Sequence, residues 1–142
     1  MSFTNYAEMQ ILNNLLGNAS GPWGGTVYIG VSTGDPGESG SMASEPTIGV
    51  GGYARVPVVN NGTNWPAATS PGGVGTKKNG TAVVFPEATA QWSGGTAMSW
   101  FFIADAASGG NMLASGDITN DKVIDAGDTL RFDADTLVVT LD

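Results

Sequence analysis

The chain reads as an all-β protein: an antiparallel two-sheet β-sandwich of jelly-roll type with one short N-terminal α-helix. Three observations lead there. Apolar residues alternate with period two in several short runs, the pattern of half-buried strands. Glycine is abundant, 22 of 142 residues, and clusters with Pro, Asn and Ser between those runs without a G-X-Y period. That is turn chemistry, not collagen. Only one segment carries helical spacing, so alternating βα units and a parallel sheet are disfavoured.

The helix is expected over about 5–16. Asn5 is placed to cap it, and Glu8 three residues later completes a capping-box-like pair. Tyr6, Met9, Leu12, Leu15 and Leu16 recur at three- and four-residue steps, and Gly17 is the natural stop. A helix of ~12 residues is marginal alone in water, so something must cover its stripe, either the sheet or a neighbouring subunit.

Strands follow. Thr26-Val27-Tyr28-Ile29-Gly30-Val31-Ser32 puts Val27, Ile29 and Val31 on one face. A glycine-rich loop occupies 34–51. Tyr53-Ala54-Arg55-Val56-Pro57-Val58-Val59 reads as a strand, and Pro57, lacking a donor, places it at an edge. A second polar stretch covers 60–80, broken by a short strand near Thr76. Ala82-Val83-Val84-Phe85 is stopped by Pro86, and another run covers 88–92. The last block holds Trp100-Phe101-Phe102-Ile103-Ala104-Asp105, Asn111-Met112-Leu113-Ala114-Ser115-Gly116, Thr129-Leu130-Arg131-Phe132-Asp133 and Thr136-Leu137-Val138-Val139-Thr140-Leu141. The total is about eight strands, in one expected domain over 1–142.

Charge and composition exclude several function classes. With 13 acids against 5 bases the net charge is -8, so phosphate backbones are repelled and nucleic acid is not an expected partner. Cysteine and histidine are both absent. There is thus no disulfide, no thiol nucleophile, no general base titrating near neutral pH and no imidazole metal ligand. No basic-then-apolar leader opens the chain and no apolar run reaches the ~18 residues of a membrane span, so no membrane association is expected.

Constellations that could carry chemistry read as structure. Asp105, Asp117, Asp121, Asp125, Asp128, Asp133, Asp135 and Asp142 gather late in the chain, but their spacing fits neither an EF-hand nor a glycosidase pair, and turn punctuation is the expectation. An adventitious calcium site is the alternative. Gly72, Gly73 and Gly75 before Thr76-Lys77 do not meet the phosphate-loop spacing. Lys77-Lys78 is expected to be a solvated charge pair. Trp92 and Trp100 are expected in the core or sheet; Trp23 and Trp65, in Gly/Pro-rich loops, fit a subunit contact, packing beneath the loop or sugar stacking. The sequons at Asn18, Asn61 and Asn79 read as turns. No catalytic residue, cofactor or resident metal is expected.

An ordered series of segments carries a resemblance. It runs from Asn5-Tyr6-x-Glu8 with Leu12, Leu15 and Leu16, through Val27-Tyr28-Ile29-Gly30-Val31 and Ser32-Thr33-Gly34-Asp35-Pro36, to Glu45 and Gly52-Tyr53-Ala54-Arg55-Val56. Asn79, Val84-Phe85-Pro86, Ala88-Thr89 and Trp92 continue it. Ala104-Asp105-Ala106-Ala107-Ser108-Gly109-Gly110-Asn111-Met112-Leu113, Ala126-Gly127-Asp128-Thr129-Leu130-Arg131-Phe132 and Leu137-Val138-Val139-Thr140-Leu141-Asp142 close it. Over nearly its whole length the chain resembles small virion proteins of tailed bacteriophages, often named tail-fibre proteins and similar to jelly-roll capsid cement, or decoration, proteins.

The resemblance implies a non-enzymatic virion structural protein. Its first expectation is a cement protein that binds the major capsid protein as a homotrimer on the outer head surface. The alternative is a tail, baseplate or tail-fibre component, and a carbohydrate-binding module is a more distant one. The protein would be synthesised in the host cytoplasm and reside in the virion. The residues expected at subunit or capsid contacts are Phe3, Tyr6, Trp23, Arg55 and Trp65; for Arg55 an internal salt bridge is an equal expectation.

Overall fold

A computed structural model describes residues 2–141; Asp142, one of the acids named above, lies outside them. The order is α1 (Asn5–Leu15), β1 (Thr26–Ser32), β2 (Val56–Val59), β3 (Gly75–Lys78), β4 (Val83–Val84), β5 (Met98–Ala104), β6 (Met112–Lys122), β7 (Arg131–Phe132) and β8 (Val138–Leu141). One sheet has the order β2-β1-β5-β6, while β3 with β8 and β4 with β7 form two separate ladders. Every pairing is antiparallel. The expected all-β sandwich is the architecture observed, its second layer split into two ladders.

The core follows from strand alternation. Val27, Ile29 and Val31 of β1 point into one hydrophobic cluster with Phe101 and Ile103 of β5. Aromatic rings bridge the layers. Phe101 lies 6.4 Å from Phe132 of β7, Phe132 6.1 Å from Phe85, and Tyr53 meets Trp92 edge-on at 5.0 Å. Each such pair contributes roughly 0.5–1.5 kcal/mol beyond burial.

The opposite face of β5 is buried too, because its neighbours leave room. Gly30 of β1 sits directly across from Phe102, and a Cβ there would lie 2.2 Å from the Phe102 ring. Gly116 of β6 stands in the same relation to Phe101 on the core side, at 2.5 Å. Each phenylalanine thus lies flat over the glycine of the adjacent strand.

Local expectations hold where short-range chemistry decides. β2 is an edge strand, and its Pro57 pairs with Tyr28 at that edge. Gly17, at φ +92°, ends the helix. The sequon asparagines act within turns: Asn18 Oδ1 accepts from Ser20 N, and Asn61 Oδ1 accepts from Thr63 N and Asn64 N.

Four expectations are corrected. The helix cap is Thr4, not Asn5: Thr4 Oγ1 accepts from Ala7 N at 3.3 Å. Glu8 therefore stands one residue too late for a capping box. Its side chain is buried and accepts from Gly75 N of β3 at 2.8 Å. The covered face of α1 is Glu8, Leu12 and Leu16, while Tyr6 is 70% exposed, because the helix docks on β3 along that i, i+4 row. Residues 88–92 form no strand; Trp92 opens a 3-10 turn, and isolated bonds such as Trp92 N to Ile124 O replace a ladder. Lys77 is not solvated: alternation in β3 turns it toward α1, leaving Lys78 outside.

Asn60 joins three segments. Fully buried, it donates from Nδ2 to Leu15 O, Asn18 O and Gly24 O, and its Oδ1 accepts from Gly17 N at 2.6 Å. Its replacement leaves the helix C-terminus without a partner in a dry site. Asn60→Ala is expected to cost about 2–4 kcal/mol, read as a fall in the urea midpoint at constant m-value. A cost below about 0.5 kcal/mol would refute this role.

Candidate functional site

Among the described residues no group of three or more His, Cys, Asp or Glu side chains converges to hold a metal ion. Some of the late aspartates serve turns: Asp128 Oδ2 accepts from Asp125 N, and Asp105 grips Asn111 through both oxygens at 2.7 and 2.8 Å. The turn expectation is corrected for Asp117 and Asp121, which lie within strand β6, and Asp133 pairs with Arg131. The loops are held by buried polar side chains, and exposed apolar side chains lie around them.

Arg55 holds one end. It lies just before β2, and its guanidinium is completely buried. It forms a two-pronged ion pair with Glu45: Nε to Oε1 and Nη2 to Oε2, both 2.8 Å. Nη1 donates to Ala106 O and Gly109 O at 2.7 and 2.9 Å, and the Phe102 ring lies 5.2 Å beneath the charge. Tyr53 Oη donates to Glu45 Oε1 at 2.9 Å and accepts from Val31 N. Hydrogen bonding to Glu45 holds the Arg55 pKa above its ordinary value against the opposing effect of burial. Burial, reinforced by the Glu45 charge, pushes the Tyr53 phenol far up. One guanidinium thus ties the loop containing Glu45, the sheet and the turn after β5.

Of the five expected contact residues, this places Arg55 and Trp65 inside the chain. Arg55 follows the internal salt-bridge expectation. Trp65 is fully buried under its loop, where its backbone and Cβ close over Gly17. Arg55 finds its partners within the chain, whereas the Trp65 ring is covered by the chain but its Nε1 has no hydrogen-bond partner among the described residues. Phe3 and Tyr6 stand outside at 58% and 70% exposure. Trp23 is half-buried and lines an apolar groove of about 440 Å³ with Ile11, Leu15, Leu113, Val138 and Leu141. Further exposed apolar side chains are Val50 in the loop before Arg55 and Val59 on edge strand β2. No sequence signal marked these two, since single valines in turns and edges are unremarkable by composition.

The chain matches, over residues 2–140, the family described as Gp80, podophage GP4 fiber I protein gp80. The chain belongs to the Gp80 family. The resemblance to small tailed-phage virion proteins is thereby shown, and the protein is a phage structural protein of the virion-fibre type. No curated protein matches the chain. Among the described residues no helix is long and apolar enough to cross a membrane.

Two outcomes follow from the Arg55 site. Arg55→Met leaves Glu45 buried without its counter-charge, and unfolding by denaturant should show a loss of about 3–5 kcal/mol; a loss under about 1 kcal/mol would mean that the loops are held by other contacts. Hydrogen bonding from Asn111 lowers the Asp105 pKa. A depressed carboxylate stabilises the fold above its unfolded pKa and loses that contribution as pH falls through the folded one. Stability measured between neutral and strongly acid pH should therefore decline less for Asp105→Asn than for the unmodified chain. Superimposable pH profiles would contradict the coupling.

Proposed function

We propose that this Gp80-family protein is a non-enzymatic building block of a phage fibre, held in the virion by contacts with other structural proteins. The family match over residues 2–140 carries the reading. The architecture supports it. Loops anchored by Arg55 and Asn60 lose little conformational entropy on docking, which favours a packing module. Phe3, Tyr6 and Trp23 are the contact residues assigned to the neighbouring virion protein. Phe3 precedes α1 and Tyr6 lies in its first turn, and both leave most of their surface exposed.

A second reading is a cement protein that binds the major capsid protein as a homotrimer. The small sandwich with an apolar projection at its N-terminal helix favours it. Gold-labelled antibody on intact virions separates the two. Label confined to fibres is the expected result; label spread over the head would replace the fibre reading with the cement one. The double variant Phe3→Ser, Tyr6→Ser alters exposed side chains, so its stability should stay within about 0.5 kcal/mol. Its amount per particle, measured by quantitative mass spectrometry of purified virions, should fall several-fold. Unchanged incorporation would remove Phe3 and Tyr6 from the interface.

A further inference from the structure

We propose that Lys77 and Asn13 become joined by a spontaneous isopeptide bond that fastens α1 to β3. Lys77 is 2% exposed, and the one hydrogen bond of its side chain among the described residues runs from Nζ to Asn13 Oδ1 at 2.7 Å. Neither ion pair among the described residues involves it. A buried ammonium without a counter-ion is costly, and burial lowers the Lys77 pKa. Burial therefore shifts the balance toward the neutral amine, which is the nucleophilic form.

The amide is prepared on its side. Asn13 Oδ1 also accepts from Ala68 N at 2.8 Å. Two donors on one atom settle which end of the amide is oxygen. They polarise the carbonyl, and the Ala68 N–H faces the position where negative charge would develop. With a C=O bond of about 1.2 Å, the 2.7 Å contact keeps Nζ within ~4 Å of Cγ. A side-chain torsion that lifts the amine from the amide plane to its face completes the approach. Glu8, 2% exposed, accepts instead from Gly75 N, two residues before Lys77 on β3, and makes no ion pair with Lys77 among the described residues.

The step balances without an outside reagent. The Nζ lone pair attacks Cγ and forms the new C–N bond. The tetrahedral oxyanion collapses, Cγ–Nδ2 breaks, and a proton lost from Nζ leaves on Nδ2 as ammonia. Starting from the ammonium form, the product is the same amide and an ammonium ion. The bond would bridge positions 64 apart in the chain. A helix of 11 residues, marginal alone, would then be unable to peel from the sheet. The inference does not depend on where in the virion the protein sits.

Intact-mass spectrometry of the purified full chain tests it. The expected mass is about 17 Da below that of the sequence, the loss of one ammonia, with a fragment-sequenced peptide pair linked through Asn13 and Lys77. A succinimide at Asn13 would show the same mass loss without needing Lys77. Lys77→Arg, which keeps the charge but not the nucleophile, should restore the full mass, as should Asn13→Ala. An unmodified chain at full sequence mass overturns the proposal, and so does a mass deficit that survives Lys77→Arg.

Discussion

The buried Arg55–Glu45 pair is the constraint on which the loop end of the sandwich depends. Taking both charges out of water costs several kcal/mol per ion, and the cost is offset only when every donor finds an acceptor. Here the guanidinium engages a carboxylate and two backbone carbonyls and rests on the Phe102 ring. Each partner comes from a different part of the chain, so the loop carrying Glu45, the sheet and the turn after β5 have one mutually compatible arrangement. The pair also explains why β5 is buried on both faces: Phe102 needs Gly30 beneath it and Arg55 above it.

The same logic recurs with neutral groups. Asn60 gathers the helix C-terminus and the approach to β1, while Asn79 accepts from Leu137 N and donates to Thr81 O and Asp133 O. A chain with so much glycine loses much backbone entropy on folding. Buried amides that bond three or four backbone groups at once offset that loss by satisfying polar atoms that would otherwise sit dry. Rigidity in this protein therefore comes from side chains that staple loops, more than from long ladders; β4 and β7 are only two residues each. A surface built this way can present Phe3, Tyr6 and the Trp23 groove at fixed positions, which suits a module of a larger assembly.

Legibility in the sequence tracked the range of the physics. Val27, Ile29 and Val31 announced their face by alternation, Gly17 its stop, and Pro57 its edge, because each depends on covalent geometry or on the next few residues. The helix cap was displaced by one residue, since Thr4 and Asn5 are both competent acceptors and only the docking of α1 chose between them. Lys77 and Trp65 were the hardest to place. Nothing local to Lys77-Lys78 says that one amine faces a helix 64 residues away in sequence, and nothing around Trp65 says that Gly17 will pack against it.

By itself the sequence determined an antiparallel β framework with one helix, its turns, an acidic surface without thiols or imidazoles, and the phage-virion resemblance that the Gp80 family match makes concrete. These are properties of composition, period and short-range sterics. Tertiary structure alone decided which polar groups are buried: Arg55 with Glu45, Glu8 with Gly75, Lys77 with Asn13. These charged and amide side chains enter the interior where distant segments bring them partners, and that pairing is written in the packing of the whole chain.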